Sequence, residues 1–223
     1  MIKYETNSKL VKPGQIFVAI CGHTVDGHDY IEEAIKNGAE SLVVMHDVSS
    51  SIPYKIVDDT EQFLIEEIPK LYKEELKKLK IIGITGTNGK TTTTTLTYNI
   101  LKNYYGERVK LAGNIGYPLT SILDSLKEND ILVMEISCQQ LANLDKFKPD
   151  IALLTNLSPA HIDFFGDYAT YKKVKAKLFK NQTKDDIAII NEDNLDSLEE
   201  TKNILSQKFY FSLEKKTDAC YLN

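Results

Sequence analysis

An α/β fold with a mostly parallel sheet is predicted, and three observations predict it. Short apolar runs recur along the chain, among them residues 16–20 (IFVAI), 41–45 (SLVVM) and 151–155 (IALLT). Segments with helical apolar spacing lie between them, the alternation that builds α/β domains. A glycine-rich turn separates the apolar residues 81–84 from a helix-like run. With 223 residues, 42% hydrophobic and 26% charged, the chain has enough length for one or two cores.

In order, residues 1–79 read as a small α/β unit. Val11-Lys12-Pro13-Gly14 is a turn and residues 16–20 a buried strand. Residues 22–28 (GHTVDGH) are a polar loop, and residues 29–37 carry helical spacing that Gly38 closes. Residues 41–45 and 54–57 are two further strands, and residues 60–79 a charged amphipathic helix. A boundary is placed near Lys80. His23 and His28, five residues apart in a glycine loop with no third partner, make a poor metal pair. Contact with a ligand or plain loop structure suits them better.

Residues 80–223 continue as a second α/β unit. Ile81, Ile82 and Ile84 form a strand; Gly86-Thr87-Asn88-Gly89 is the turn, and Lys90-Thr91 opens a helix reaching Leu101. Strand, glycine loop and helix start in that order suit the gripping of phosphate groups. Glycines let successive N–H groups turn into one hollow, Lys90 adds a full positive charge, and the Thr91 hydroxyl can take a place on Mg²⁺. The pattern is G-x-x-G-x-x-G-K-T; Ile84 stands where the stricter loop rule requires glycine.

Further on, residues 109–112 form a short strand ending in the turn Gly113-Asn114-Ile115-Gly116. Residues 130–136 (DILVMEI) are an apolar run that delivers Glu135, an acid suited to Mg²⁺ beside a phosphate loop. After residues 151–155, His161 and Asp163 stand where loops following parallel strands gather ligands; a His two residues from an Asp is a reasonable metal candidate. Residues 168–180 are a helix with Tyr171, Val174 and Leu178 on one face and Lys175 at its border. Taken alone, Lys172, Lys173, Lys175 and Lys177 would be a solvated charge run. A strand at 187–190, a charged segment and a strand-like stretch at 209–212 complete the pattern.

The net charge of −5 argues against a nucleic-acid binder. No 18-residue apolar run spans a membrane, and MIKYETNSKL lacks an apolar signal core. Cys21, Cys138 and Cys220 show no ligand spacing, which fits reduced thiols in a cytoplasmic protein.

Together, TGTNGKTT (85–92), MEIS (134–137), TNLSPAHID (155–163) and YKKVKAKLF (171–179) resemble the Mur ligases. These ATP-dependent enzymes add amino acids to UDP-N-acetylmuramoyl peptides during peptidoglycan synthesis. The resemblance implies a UDP-MurNAc-peptide-binding domain over 1–79 and a central ATP-binding domain over 80–223. ATP and two Mg²⁺ ions would be bound, with a UDP-MurNAc-peptide and an amino acid as the other substrates, by a monomer.

The resemblance further implies that Gly86, Thr87, Asn88, Gly89, Lys90, Thr91, Thr92 and Asn114 hold the nucleotide. Lys90, Glu135, His161 and Lys175 would be catalytic, with Thr91, Glu135, His161 and Lys175 on metal. Lys175 matches the position that in this family carries a carbamate from CO₂. Ser8, His23, Thr24, Asp26 and His28 would touch the UDP part.

Residues 12–39 are similar to the branch adding the third stem residue (MurE), whereas GNIGYP (113–118) and SCQQL (137–141) are similar to the D-glutamate-adding branch (MurD). A folylpolyglutamate synthetase-like ligase and a non-catalytic nucleotide-binding module are the other readings. Family members have three domains, so a chain ending within the second is expected to lack the complete ligation activity alone.

Overall fold

In the computed structural model, residues 4–21, 25–71, 79–217 and 220–221 are described. The chain divides into two compact units, Met1–Leu76 and Lys77–Asn223.

The first unit is a four-stranded, wholly parallel sheet in the order β1-β2-β3-β4, formed by Tyr4–Glu5, Gln15–Val18, Ala39–Val44 and Tyr54–Ile56. Between β2 and β3 the chain makes a 3₁₀ turn over Gly27–Tyr30 and then the helix α1, Ile31–Lys36. The sequence reading took this as one helix from residue 29. Its first turn is tighter because the Asp26 carboxylate caps it by accepting from the His28 N–H. Phe17, Leu42, Val44, Ile31 and Ala34 are buried together in the core of this unit. Full burial of side chains of this size is worth about 1.5–3 kcal/mol each. Helix α2 covers Thr60–Leu71; the last part of the expected 60–79 helix lies outside the described residues.

The second unit is a seven-stranded parallel sheet. Its strands are β5 (Lys80–Thr85), β6 (Val109–Gly113), β7 (Ile131–Glu135), β8 (Ile151–Leu154), β9 (Ile187–Asn191), β10 (Gln207–Ser212) and β11 (Cys220–Tyr221). Their spatial order is β11-β10-β9-β8-β5-β7-β6. From β5 the chain runs through helix α3 (Lys90–Tyr105) to β6 at the far side, returns through β7, and then crosses β5 to β8. That reversal of winding direction makes a crevice at the carboxyl ends of the central strands, where open α/β sheets bind ligands. Ile84, Val109 and Val133 are buried on one face beneath α3, with Tyr98 and Leu101 packed against them.

The other face receives helix α7, Tyr168–Ala176, followed by a 3₁₀ turn over Lys177–Phe179. Gly83 permits this approach, since a Cβ there would lie 3.0 Å from Leu178 Cδ1. Short helices at Leu119–Ile122 (α4), Cys138–Asn143 (α5), Ile162–Phe165 (α6) and Leu195–Glu200 (α8) were not read from the sequence. All four have six residues or fewer; α5 has two buried positions, α8 one and α6 none, too little periodicity to register.

Candidate nucleotide site

The loop after β5 follows the strand–turn–helix order expected from its glycines. Gly86 has φ +145°, and a Cβ on it would stand 2.0 Å from Thr155 Oγ1 at the end of β8. Gly89, with φ 78°, caps the N-terminus of α3. The first N–H groups of α3 have no partner within the helix and are the natural donors to an anion. Lys90 belongs to that first turn and donates from Nζ to the Thr87 carbonyl at 2.8 Å. Thr91 and Thr92 are exposed beside it.

The inner half of the loop is fixed by its neighbours. Thr87 N–H donates to Asn156 O at 2.9 Å, and Asn88 N–H to Asn156 Oδ1 at 3.0 Å. Thr155 Oγ1 donates to Asn88 O at 2.6 Å. The Thr87 hydroxyl meets the Ser158 main chain and lies 3.0 Å from Tyr171 Oη.

Glu135 stands at the end of β7, in register with Ile84 on β5 and Gly113 on β6. It is 1% exposed. Asn114 Nδ2 donates to Glu135 Oε1 at 3.0 Å, while the other carboxylate oxygen, Oε2, is buried with no hydrogen-bond partner. A buried carboxylate oxygen without a donor is costly in isolation and suits a cation. Gly113 makes the junction possible, because a Cβ there would lie 2.2 Å from Glu135 O.

Spacing alone leaves Lys175 in a solvated charge run, whereas the resemblance directs it to this site. It is 1% exposed, on the inner side of α7, while Lys173 is exposed. Its Nζ donates to Gly86 O at 2.8 Å and to Thr85 Oγ1 at 3.2 Å. Thr85 Oγ1 in turn donates to Ile136 O at 2.7 Å, one residue beyond Glu135. Burial pulls the Lys175 amine down to about 8; Cys138 and Glu135 oppose that and Lys90 adds to it. Lys90, Glu135 and Lys175 therefore share one electrostatic neighbourhood.

His161 caps α6 with φ 52° and is exposed. Its ring and the Lys175 ammonium both flank Tyr171, with a 6.2 Å ring separation for His161 and 5.5 Å from Lys175 Nζ to the ring. Among the described residues no group of three or more His, Cys, Asp or Glu side chains is arranged to hold a metal by itself.

The residues expected to meet the UDP part belong to the first unit. Ser8 is buried and donates to Glu33, and its carbonyl accepts from Asn37. Asp26 lies 2.6 Å from His28 Nδ1, and His28 Nε2 accepts from the Met45 N–H at 2.9 Å. Both ring nitrogens of His28 are thus engaged, which fixes the Nδ1–H tautomer. The Asp26 carboxyl is held below its ordinary range by the backbone and ring donors of His28. His23 and Thr24 lie outside the described residues.

Residues 84–223 match the Mur ligase middle domain, and residues 4–85 match the Mur ligase family, catalytic domain. The chain belongs to the Mur ligase family. A UDP-N-acetylmuramoylalanine–D-glutamate ligase of Streptococcus mutans is 33% identical over 96% of the chain. Another of Bacillus cereus is 41% identical over 80% of it. The solved MurF ligase of Thermotoga maritima in complex with ADP superposes with a TM-score of 0.77 at 32% identity, over 97% of this chain. The chain spans about half or less of the length of these Mur ligases, 51% of the Streptococcus relative, 39% of the Bacillus relative and 51% of the Thermotoga structure.

Sequence reasoning assigned no role to Thr85, Thr155, Asn156 or Tyr171, although each lies inside a quoted motif. The available signal was position: Thr155 and Asn156 follow directly on β8, which neighbours β5.

Proposed function

We propose that this chain carries the nucleotide-gripping part of an ATP-dependent amide ligase acting on UDP-N-acetylmuramoyl peptides. The observation that carries the reading is the convergence of Lys90, Glu135 and Lys175 on one glycine loop at the carboxyl edge of the sheet. The ADP in the Thermotoga relative supports it. Within that activity, D-glutamate addition to UDP-N-acetylmuramoylalanine is favoured. Curated relatives between 33% and 42% identical carry that name, which favours it over the third-residue branch suggested by residues 12–39.

The substrate carboxylate takes the γ-phosphoryl group of ATP, giving an acyl phosphate and ADP. The incoming amine then attacks the acyl carbon and gives up a proton, an amide forms, and phosphate leaves with its bonding electrons. Lys90 and the first N–H groups of α3 hold the phosphates, lowering the cost of charge on the transferring group.

Mg²⁺ fits the donor set, since Glu135 Oε2 is a buried carboxylate oxygen with no hydrogen-bond donor; Thr91, His161 and a modified Lys175 would be the other ligands. When bound, Mg²⁺ neutralises phosphate charge. An ammonium at Lys175 would oppose it, whereas a carbamate, formed by the neutral amine adding CO₂ and losing a proton, would not. Ser8, Asp26 and His28 are proposed to shape the UDP site through their internal bonds.

Calorimetry with Mg·ADP, UDP-N-acetylmuramoylalanine and its D-glutamyl product tests the reading. Binding of ADP and a preference for the shorter acceptor are expected; preference for the D-glutamyl product would restore the third-residue branch, and preference for a folate would remove the cell-wall reading.

A further inference from the structure

We propose that Asn156 is a positioning residue of the phosphate loop. It fastens residues 87 and 88 to the end of β8 so that only the next turn faces phosphate. The inference rests on the nucleotide reading above.

A primary amide offers one acceptor oxygen and two donor hydrogens. Asn156 uses this set to read the main chain of one loop residue from both sides. Its Oδ1 accepts from Asn88 N–H at 3.0 Å, and its Nδ2 donates to Asn88 O at 3.1 Å. Its own carbonyl accepts the preceding N–H, that of Thr87, at 2.9 Å. The side chain therefore pairs with residue 88 as a neighbouring strand would, just past the point where the β5–β8 ladder ends at Thr85 and Leu154.

Packing cannot replace these bonds. Around Gly89 an added Cβ would meet nothing within 4 Å, so the outer loop stands in open space. At Gly86 the loop is pressed against Thr155, with no room to shift inward. Between a fixed inner end and an open outer end, the orientation of the 87 and 88 peptides is set by hydrogen bonds alone. With these two N–H groups engaged, the donors left for phosphate are those from Gly89 into the first turn of α3, together with Lys90. Asn156 thereby decides which half of the loop contacts the anion.

Two measurements test this. Amide hydrogen exchange on the nucleotide-free chain should show Thr87 and Asn88 exchanging more slowly than Gly89. Asn156→Ala should abolish the difference at Asn88, while Asn156→Asp, which keeps the acceptor, should retain it. Equal exchange at all three amides in the parent, or equal acceleration in both variants, would overturn the proposal.

In calorimetry, Asn156→Ala should weaken ADP about tenfold or more and AMP by much less, because the loss scales with phosphate contact. Equal losses for both nucleotides, or unchanged ADP affinity in a folded variant, would also overturn it. A parent chain that binds no ADP counts against the nucleotide reading, and the exchange experiment then decides the role of Asn156 alone.

Discussion

Lys175 Nζ lies 2.8 Å from the carbonyl oxygen of Gly86, so a lysine on helix α7 is bonded to the first residue of the glycine loop 89 positions earlier. The second acceptor, Thr85 Oγ1, is the side chain just before that glycine. A neutral amine has two N–H donors for these two acceptors, whereas a carbamate nitrogen keeps one.

Modification of Lys175 should follow from its burial. Because burial lowers the amine to about 8, a far larger neutral fraction exists near neutral pH than for an ordinary lysine. Only the neutral form adds CO₂. At fixed dissolved ¹³CO₂, a carbamate signal absent from Lys175→Arg should grow as pH rises through that value. No labelled signal distinguishing the parent from the variant would remove the carbamate from the reading.

Lys90→Ala should weaken ADP by about 1.5–3 kcal/mol, roughly ten- to a hundredfold in Kd, through loss of a charge-assisted contact. In the structure the ammonium rests on the Thr87 carbonyl, from which it can turn to phosphate without a change of fold. Lys173→Ala, at an exposed position on α7, serves as the control and should leave affinity unchanged. Equal effects from the two would show that the first is non-specific.

Glu135→Gln should uncouple nucleotide binding from metal. The amide keeps an oxygen for Asn114 Nδ2 but removes the charge that makes the unpartnered oxygen a cation ligand. Affinity for ADP without metal should stay within about twofold of the parent, while the gain on adding Mg²⁺ disappears. A variant still strengthened by Mg²⁺ to the parent's extent would place the ion elsewhere.

The strands of the second unit were legible because they are buried on both faces and read as continuous apolar runs; Ile84, Leu132 and Ala188 are each 0% exposed. The strand–turn–helix order around the glycine loop was legible because glycine, lysine and threonine spacing is a local property. Lys175 was harder. Its periodicity put it at the border of the apolar stripe, yet it is more buried than Val174, because polar acceptors on the loop receive its tip. Asn156 was invisible to periodicity, since its pairing with Asn88 spans 68 residues and depends on the ends of two strands meeting. The branch was not legible, because residues 12–39 resemble one branch and residues 113–118 and 137–141 another, each over a short stretch; of the expected UDP contacts, Ser8 and His28 are engaged in hydrogen bonds within the first unit.

The last prediction concerns acid stability and Asp186, which is 4% exposed at the entry to β9. Burial raises its carboxyl, but the Lys148 ammonium and the Thr183 N–H and hydroxyl outweigh that and hold it below the ordinary value. A carboxyl depressed in the folded state stabilises above its unfolded pKa of about 3.9 and loses that contribution as pH falls through the folded value. Asp186→Ala should therefore cost about 1–3 kcal/mol at pH 7, with the melting temperature lowered by about 2–4 °C per kcal/mol. As pH falls through the folded value, which lies below the ordinary one, the variant and parent should converge, because the parent carboxyl is then protonated as well. Thermal unfolding followed by circular dichroism from pH 7 downward measures both curves. A gap that stays constant into acid would mean that Asp186 acts through packing and not through its charge.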